Sequence, residues 1–139
     1  MEFRFKVDVP RYVYPTGIAG KKFGEGLRAG KILVSYCTSC ETGFMPPTAY
    51  CPHCYMEIKV FIEPEKIILG PYTTSKADGK IYALIKFEVR GEPVEGGIIH
   101  YVESEGDFLE QGVELEPIFK EAGERRGVIT DILFFKPKA

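Results

Sequence analysis

Along residues 16–31, Ile18, Phe23 and Leu27, with Ala19 beside them, recur at helix-compatible spacings. Lys21, Lys22, Glu25 and Arg28 occupy the remaining positions, so an apolar stripe faces a charged one. Thr16 suits an N-cap and Gly30 a C-terminal stop. Gly20, Gly24 and Gly26 each cost about 1 kcal/mol against Ala, which predicts one weak helix or two short pieces. Ahead of it, residues 8–15 carry two prolines and no period, and read as an extended arm.

From residue 32 the period shortens. Residues 32–36 form a β-rich run, and residues 56–62 alternate roughly. Residues 67–75 and 81–89 are strand-like and flank Asp78-Gly79, a strong hairpin signal. Residues 90–93 read as a turn. Residues 94–102 contain Gly96-Gly97, which predicts a bulge or sharp bend in a curved strand. Residues 103–111 are polar, with Phe108 and Leu109, and fit a short helix or loop. Residues 113–120 and 128–135 are two further strands joined by a charged loop. Five short strands with an interruption between the third and fourth match an OB-fold, a partly open Greek-key barrel. A two-sheet sandwich is the alternative, and the Gly96-Gly97 bend favours the barrel.

The chemistry lies between the first two strands. Cys37, Cys40, Cys51 and Cys54 stand as C-x2-C-x10-C-x2-C and are the only cysteines. Two such pairs on facing knuckles complete the tetrahedron that Zn2+ prefers. The stretch between them, with its Gly and Pro-Pro, reads as a turn and a short rigid return. Disulfide pairing would require an oxidising compartment, and the N-terminus has no apolar signal core. Four thiolates leave no open position, so the site is expected to be structural. Iron suits the same sulfur tetrahedron and is the less favoured occupant. His53, inside the second knuckle, is expected to be a solvated loop residue.

The chain of 139 residues is 45 % hydrophobic and 27 % charged, with a formal charge of −2. These values describe ordinary globular material and count against binding nucleic acid mainly through phosphates. No apolar run is long enough to span a bilayer as a helix, and the cytoplasm is the expected compartment.

The order of a helix ending Phe23-Gly-Glu-Gly-Leu-Arg-Ala-Gly30, a strand, Cys37-Thr-Ser-Cys40, Gly43-Phe-Met-Pro-Pro47, Cys51-Pro-His-Cys54 and a barrel resembles the DUF35 family. Gln111-Gly-Val113 and Phe134-Phe-Lys-Pro137 resemble its closing strands. The resemblance covers roughly residues 16–137 and is strongest over 23–54. It implies a mainly β chain in three parts: an arm and helical segment over 1–31, a rubredoxin-like zinc ribbon over 32–62, and an OB-fold over 63–139. It further implies a non-catalytic accessory subunit of a thiolase-like enzyme, of the acetyl-CoA acetyltransferase or 3-hydroxy-3-methylglutaryl-CoA synthase type. Such a subunit helps shape a coenzyme A site or acts as a scaffold between two such enzymes. Glu41 and Tyr55 follow the knuckles where many ribbons have Gly, so those turns must form without Gly's easy positive φ.

A search for catalytic constellations agrees with that reading. All four cysteines are assigned to the metal. His53 and His100 are far apart in sequence, and His100 reads more naturally as a partly buried strand histidine than as a base. No nucleophile elbow, phosphate loop or H-E-x-x-H is present. Glu103, Glu105 and Asp107 lie in a solvated stretch. Lys21, Lys22, Arg28 and Lys31 are the candidate contacts for coenzyme A phosphates, although a solvated helix face accounts for the same charges. Arg125 and Arg126 form a second small basic patch. Tyr12, Tyr14, Phe44, Met45 and Tyr50 suggest an aromatic and thioether interface.

Two other functions remain open. A nucleic-acid-binding module would need aromatics interleaved with cations on one sheet face, and Tyr82 with Lys86 offers a faint version. A one-electron carrier would use iron in the sulfur site.

Overall fold

The computed structural model describes residues 17–104 and 109–138. The predicted arm, Tyr12, Tyr14, the Thr16 cap, Glu105, Asp107 and Phe108 lie outside these. One helix, α1 (Gly17–Arg28), precedes ten strands. It is a single helix despite its glycines, and it turns off at Gly30, whose φ is 76°. Leu27 on its apolar side is fully buried. Gly24 allows a close approach, because a Cβ there would lie 2.9 Å from the Gly127 carbonyl oxygen.

The first sheet is the ribbon. β1 (Val34–Cys37) pairs antiparallel with both β2 (Thr42–Met45) and β3 (Val60–Ile62). The segment between the knuckles, expected to be a turn and return, therefore holds a strand. Gly43 and Phe44 pair across to Tyr36 and Ser35, and these long-range partners outweigh the weak local strand propensity of Thr-Gly-Phe-Met. Ser35, fully buried, accepts the Thr48 N–H at 3.0 Å and so pins the chain that leaves β2.

The second sheet contains β4 (Lys66–Thr74), β5 (Ile81–Val89), the short β6 (Glu92–Pro93), β8 (Ile98–Val102), β9 (Leu115–Phe119) and β10 (Ile132–Pro137). Its order is β4-β5-β8-β10-β9, with β8 and β10 parallel at Val102 and Phe135. The ends meet: Ile68 bridges Glu114, and the Leu69 N–H donates to the Val113 carbonyl at 3.0 Å. One sheet closing on itself is a barrel, not a sandwich, and the strands follow the order that the OB-fold reading expects. Along β5 the alternation is strict, with Ala83, Ile85, Phe87 and Val89 buried and Tyr82, Leu84, Lys86 and Glu88 outside.

Two expected strands are cut short. Residues 94–102 divide at Gly96-Gly97: β7 (Glu95–Gly96) pairs parallel with β2 of the ribbon, and only Ile98 onward joins the barrel. The bend read from the glycines is thus a switch between sheets. The last strand begins at Ile132, because residues 129–131 form a 3-10 turn closed by Asp131. The chain is mainly β, with an N-terminal helix, a ribbon and a barrel, as the sequence predicts.

Candidate metal centre and its surroundings

β1 ends at Cys37, and the tight turn through Cys40 returns the chain into β2. The second knuckle is built alike: the Tyr55 N–H donates to the Cys51 carbonyl at 2.8 Å. Both knuckles end on a left-handed residue, Glu41 at φ 54° and Tyr55 at φ 62°. The knuckle turns do form without glycine, but by placing non-glycine residues at positive φ.

The four sulfurs lie within 4.8 Å of one another. Across the pairs, Cys37 Sγ is 3.6 Å from Cys54 Sγ and Cys40 Sγ is 3.8 Å from Cys51 Sγ. A tetrahedron with metal–sulfur bonds of about 2.3 Å has edges of about 3.8 Å. A disulfide would require about 2.05 Å, and the four cysteines are free. The donor set therefore fits one thiophilic cation, with soft ligands of the type zinc and iron share.

The surroundings suit a held charge. The Cys51 thiol is fully buried, which raises its pKa. Backbone N–H groups of Cys54 and His53, with the Cys54 and Cys37 sulfurs, outweigh that and hold it at about 6. Cys40 is pushed up to about 12 by its hydrogen bond with Cys54 and by burial. Cys51 is thus favoured as a thiolate, and a central cation would be needed to deprotonate Cys40. Phe44 and Ile58 close the apolar side.

His53 does not join the sulfurs. Its Nε2 lies 2.7 Å from Glu95 Oε1, tying the second knuckle to β7 of the sheet-switch segment, and its ring lies 5.8 Å from that of Phe44. His100 sits in β8 with its ring edge-on to Tyr101 and Phe135. Burial lowers its pKa, although backbone groups of Ile129, Tyr101 and Ile132 pull the other way.

Lys21, Lys22, Arg28 and Lys31 are all exposed, without a carboxylate partner among the described residues. Arg125 is not part of a free basic patch. Its Nε donates to the Lys120 carbonyl at 2.8 Å, its Nη1 reaches the Arg28 carbonyl at 3.4 Å, and it covers the Phe119 ring. It caps the end of α1 against the barrel. Phe44 and Met45 are buried, which removes them from the expected interface, whereas Tyr50 is exposed together with Tyr55 and Met56. Tyr55, 80 % exposed, went unrecognised because its exposure follows from the turn geometry.

Sequence reasoning also missed Asp131, which is fully buried. Its carboxylate accepts N–H groups from Arg126 at 2.9 Å, Gly127 at 2.7 Å and Val128 at 3.2 Å. Burial opposes the charge, but those bonds and the Lys120 charge prevail and lower the pKa.

Comparisons with known proteins follow this geometry. The ChsH2 rubredoxin-like zinc ribbon domain matches residues 25–55. A crystal structure of a DUF35-family protein of unknown function from Sulfolobus solfataricus is similar with a TM-score of 0.64 at 26 % identity, covering 88 % of this chain and 87 % of that one. The ribbon match and this likeness support a DUF35 family assignment. A second solved structure, the Ltp2-ChsH2(DUF35) aldolase, shares the fold with a TM-score of 0.55 at 18 % identity, covering 85 % of this chain and 93 % of its own. A search of curated protein sequences returns no match. Among the described residues, no helix is long and apolar enough to cross a membrane.

Proposed function

We propose that this protein is a non-catalytic accessory subunit of a thiolase-like acyl-CoA enzyme, working in the cytoplasm. In this reading Cys37, Cys40, Cys51 and Cys54 hold a structural Zn2+, and the OB-type barrel is the platform that the ribbon decorates. The observation that carries it is the closed sulfur tetrahedron: the best-built site in the chain leaves no coordination position for a substrate. The family resemblance adds the partner class. The name of the Ltp2-ChsH2(DUF35) aldolase likewise couples a DUF35 protein to a second component in an enzyme.

Lys21, Lys22, Arg28 and Lys31 are the residues we assign to coenzyme A phosphates contributed from the partner's site. Their role is to supply charge-assisted hydrogen bonds that a neutral surface would lack. The chain's own residues bind and position; acyl chemistry belongs to the partner.

Affinity capture of the tagged chain from its native lysate, followed by mass spectrometry, tests the reading. A near-stoichiometric thiolase-fold or acyl-CoA synthase enzyme is the expected companion. Nucleic acid or polymerase-type proteins in its place would overturn it in favour of the nucleic-acid module.

A further inference from the structure

The outer face of the barrel carries an apolar platform. On the outward side of β5 and β8 the residues pair side by side, Leu84 with Ile99 and Tyr82 with Tyr101. Leu133 and Phe134 of β10 continue it, lining with Tyr101 an open cleft of about 330 Å3. Ile99 is 73 % exposed and Leu133 45 %. An apolar face of this kind marks a contact surface.

The two tyrosines are held in place. The Tyr82 hydroxyl donates to Asp78 Oδ2 at 2.6 Å, and its ring lies 4.9 Å from that of Tyr101. Lys80 Nζ sits over the Tyr101 ring, 4.5 Å from its centroid. Rings already fixed lose little entropy when something settles on them.

The chain itself holds a segment of matching pattern. Residues 1–16 lie ahead of the described residues, and within them Phe3, Phe5, Val7 and Val9 alternate strictly with Glu2, Arg4, Lys6 and Asp8. Period two is the pattern of an extended segment with one apolar side. It sets an apolar group every ~6.6 Å, which is also the spacing along a strand between the Leu84–Ile99 and Tyr82–Tyr101 rows. All four charges then face water.

The segment is tethered within reach. It leads into α1, which packs against residues 129–131, the turn that opens into β10. Residues 10–16 span about 20 Å when extended. A tether this short gives an effective concentration of about 1 mM, so a contact with a dissociation constant of about 0.1 mM is about nine-tenths formed.

From these observations we infer that residues 3–9 lie extended along the outer barrel face of their own chain, with Phe3, Phe5, Val7 and Val9 on Tyr82, Leu84, Ile99, Tyr101 and Leu133. The inference is independent of the accessory-subunit reading.

Nuclear Overhauser spectra of the zinc-loaded full chain, 13C-labelled at Ile, Leu and Val methyls, test it. Ring protons of Phe3 and Phe5 should give cross-peaks to the methyls of Leu84, Ile99 and Leu133. Ile99→Lys, which weakens the contact about tenfold, should reduce the remaining cross-peaks to about half. Phe3→Ser/Phe5→Ser should shift the same face methyls while leaving those of the interior Ile85 unmoved. Zinc content and circular dichroism identify any variant that fails to fold, and the wild-type cross-peaks then decide alone.

Phe3 and Phe5 rings resonating as in a free peptide, without cross-peaks to the face, would overturn the inference. So would cross-peaks that grow with protein concentration as the mass doubles in light scattering, since a second copy would then be the occupant. Face methyls that shift only when a captured partner enzyme is added would give the face to that partner and overturn it equally.

Discussion

Gly96 lies directly against Met45: a Cβ on Gly96 would sit 2.1 Å from the Met45 carbonyl oxygen, and the next N–H, of Gly97, donates to that oxygen at 2.9 Å. The ribbon and barrel meet here backbone to backbone, with no room for a side chain. Gly97 repeats the device on the other side, where a Cβ would fall 2.5 Å from the Ile85 carbonyl oxygen. The strand that switches sheets is thus wedged between both, which fixes the ribbon on the barrel.

We predict that Gly96→Ala destabilises the protein by about 2–4 kcal/mol, since backbone must move and the residue has positive φ. Gly79→Ala is the control, with positive φ but open space around it, and should cost only about 1 kcal/mol. Urea unfolding of both variants checks this. Equal losses would mean that the close approach at Met45 relaxes freely.

Asp131 gives a pH signature. Its carboxylate is stabilised in the folded state, so its pKa lies below that of the unfolded chain. Its contribution is therefore complete above the ordinary carboxylate pKa, about 3.9, and disappears as pH falls through the lower folded value. Asp131→Asn should lose about 2–3 kcal/mol near neutrality, because one acceptor oxygen becomes an amide facing N–H groups. The gap between the two proteins' unfolding curves should narrow as pH falls below the ordinary carboxylate value of about 3.9. Parallel curves would exclude the linkage.

The left-handed residues at the knuckles make an opposite prediction. Tyr55 is 80 % exposed at φ 62°, so Tyr55→Gly removes backbone strain with little packing. Relief of about 1–2 kcal/mol, less the extra chain entropy of Gly, leaves a gain of roughly 0.5–1 kcal/mol. A lower unfolding midpoint for this variant would show that the tyrosine packs more than its exposure indicates.

How much of this was legible follows from distance along the chain. The sulfur cluster was readable because knuckle spacing is local, and so was the Asp78-Gly79 hairpin, in which Asp78 Oδ1 accepts the Lys80 N–H at 2.9 Å. The Gly96-Gly97 bend was visible but not its purpose, which depends on Met45 and Ile85. β2 was hidden because Gly-Phe-Met-Pro reads as loop until β1 and β7 pair with it. Asp131 was hidden inside a strand-like run, since its value lies in three N–H groups of the preceding loop.

Metal removal separates the two covalent chemistries open to four cysteines. A strong chelator should unfold the ribbon, since structural zinc contributes on the order of 10 kcal/mol to such modules. A phosphine reductant should leave the protein intact. The reverse pattern, monitored by near-ultraviolet circular dichroism, would indicate disulfides and contradict the sulfur spacing.

Native mass spectrometry of the chain captured from its own lysate tests the account most directly, because it weighs metal and partner together. The account predicts one zinc per chain, in a stoichiometric complex with a thiolase-fold or related acyl-CoA enzyme. A chain that flies alone, or with iron in its sulfur site and an electron-transfer protein beside it, would contradict the account.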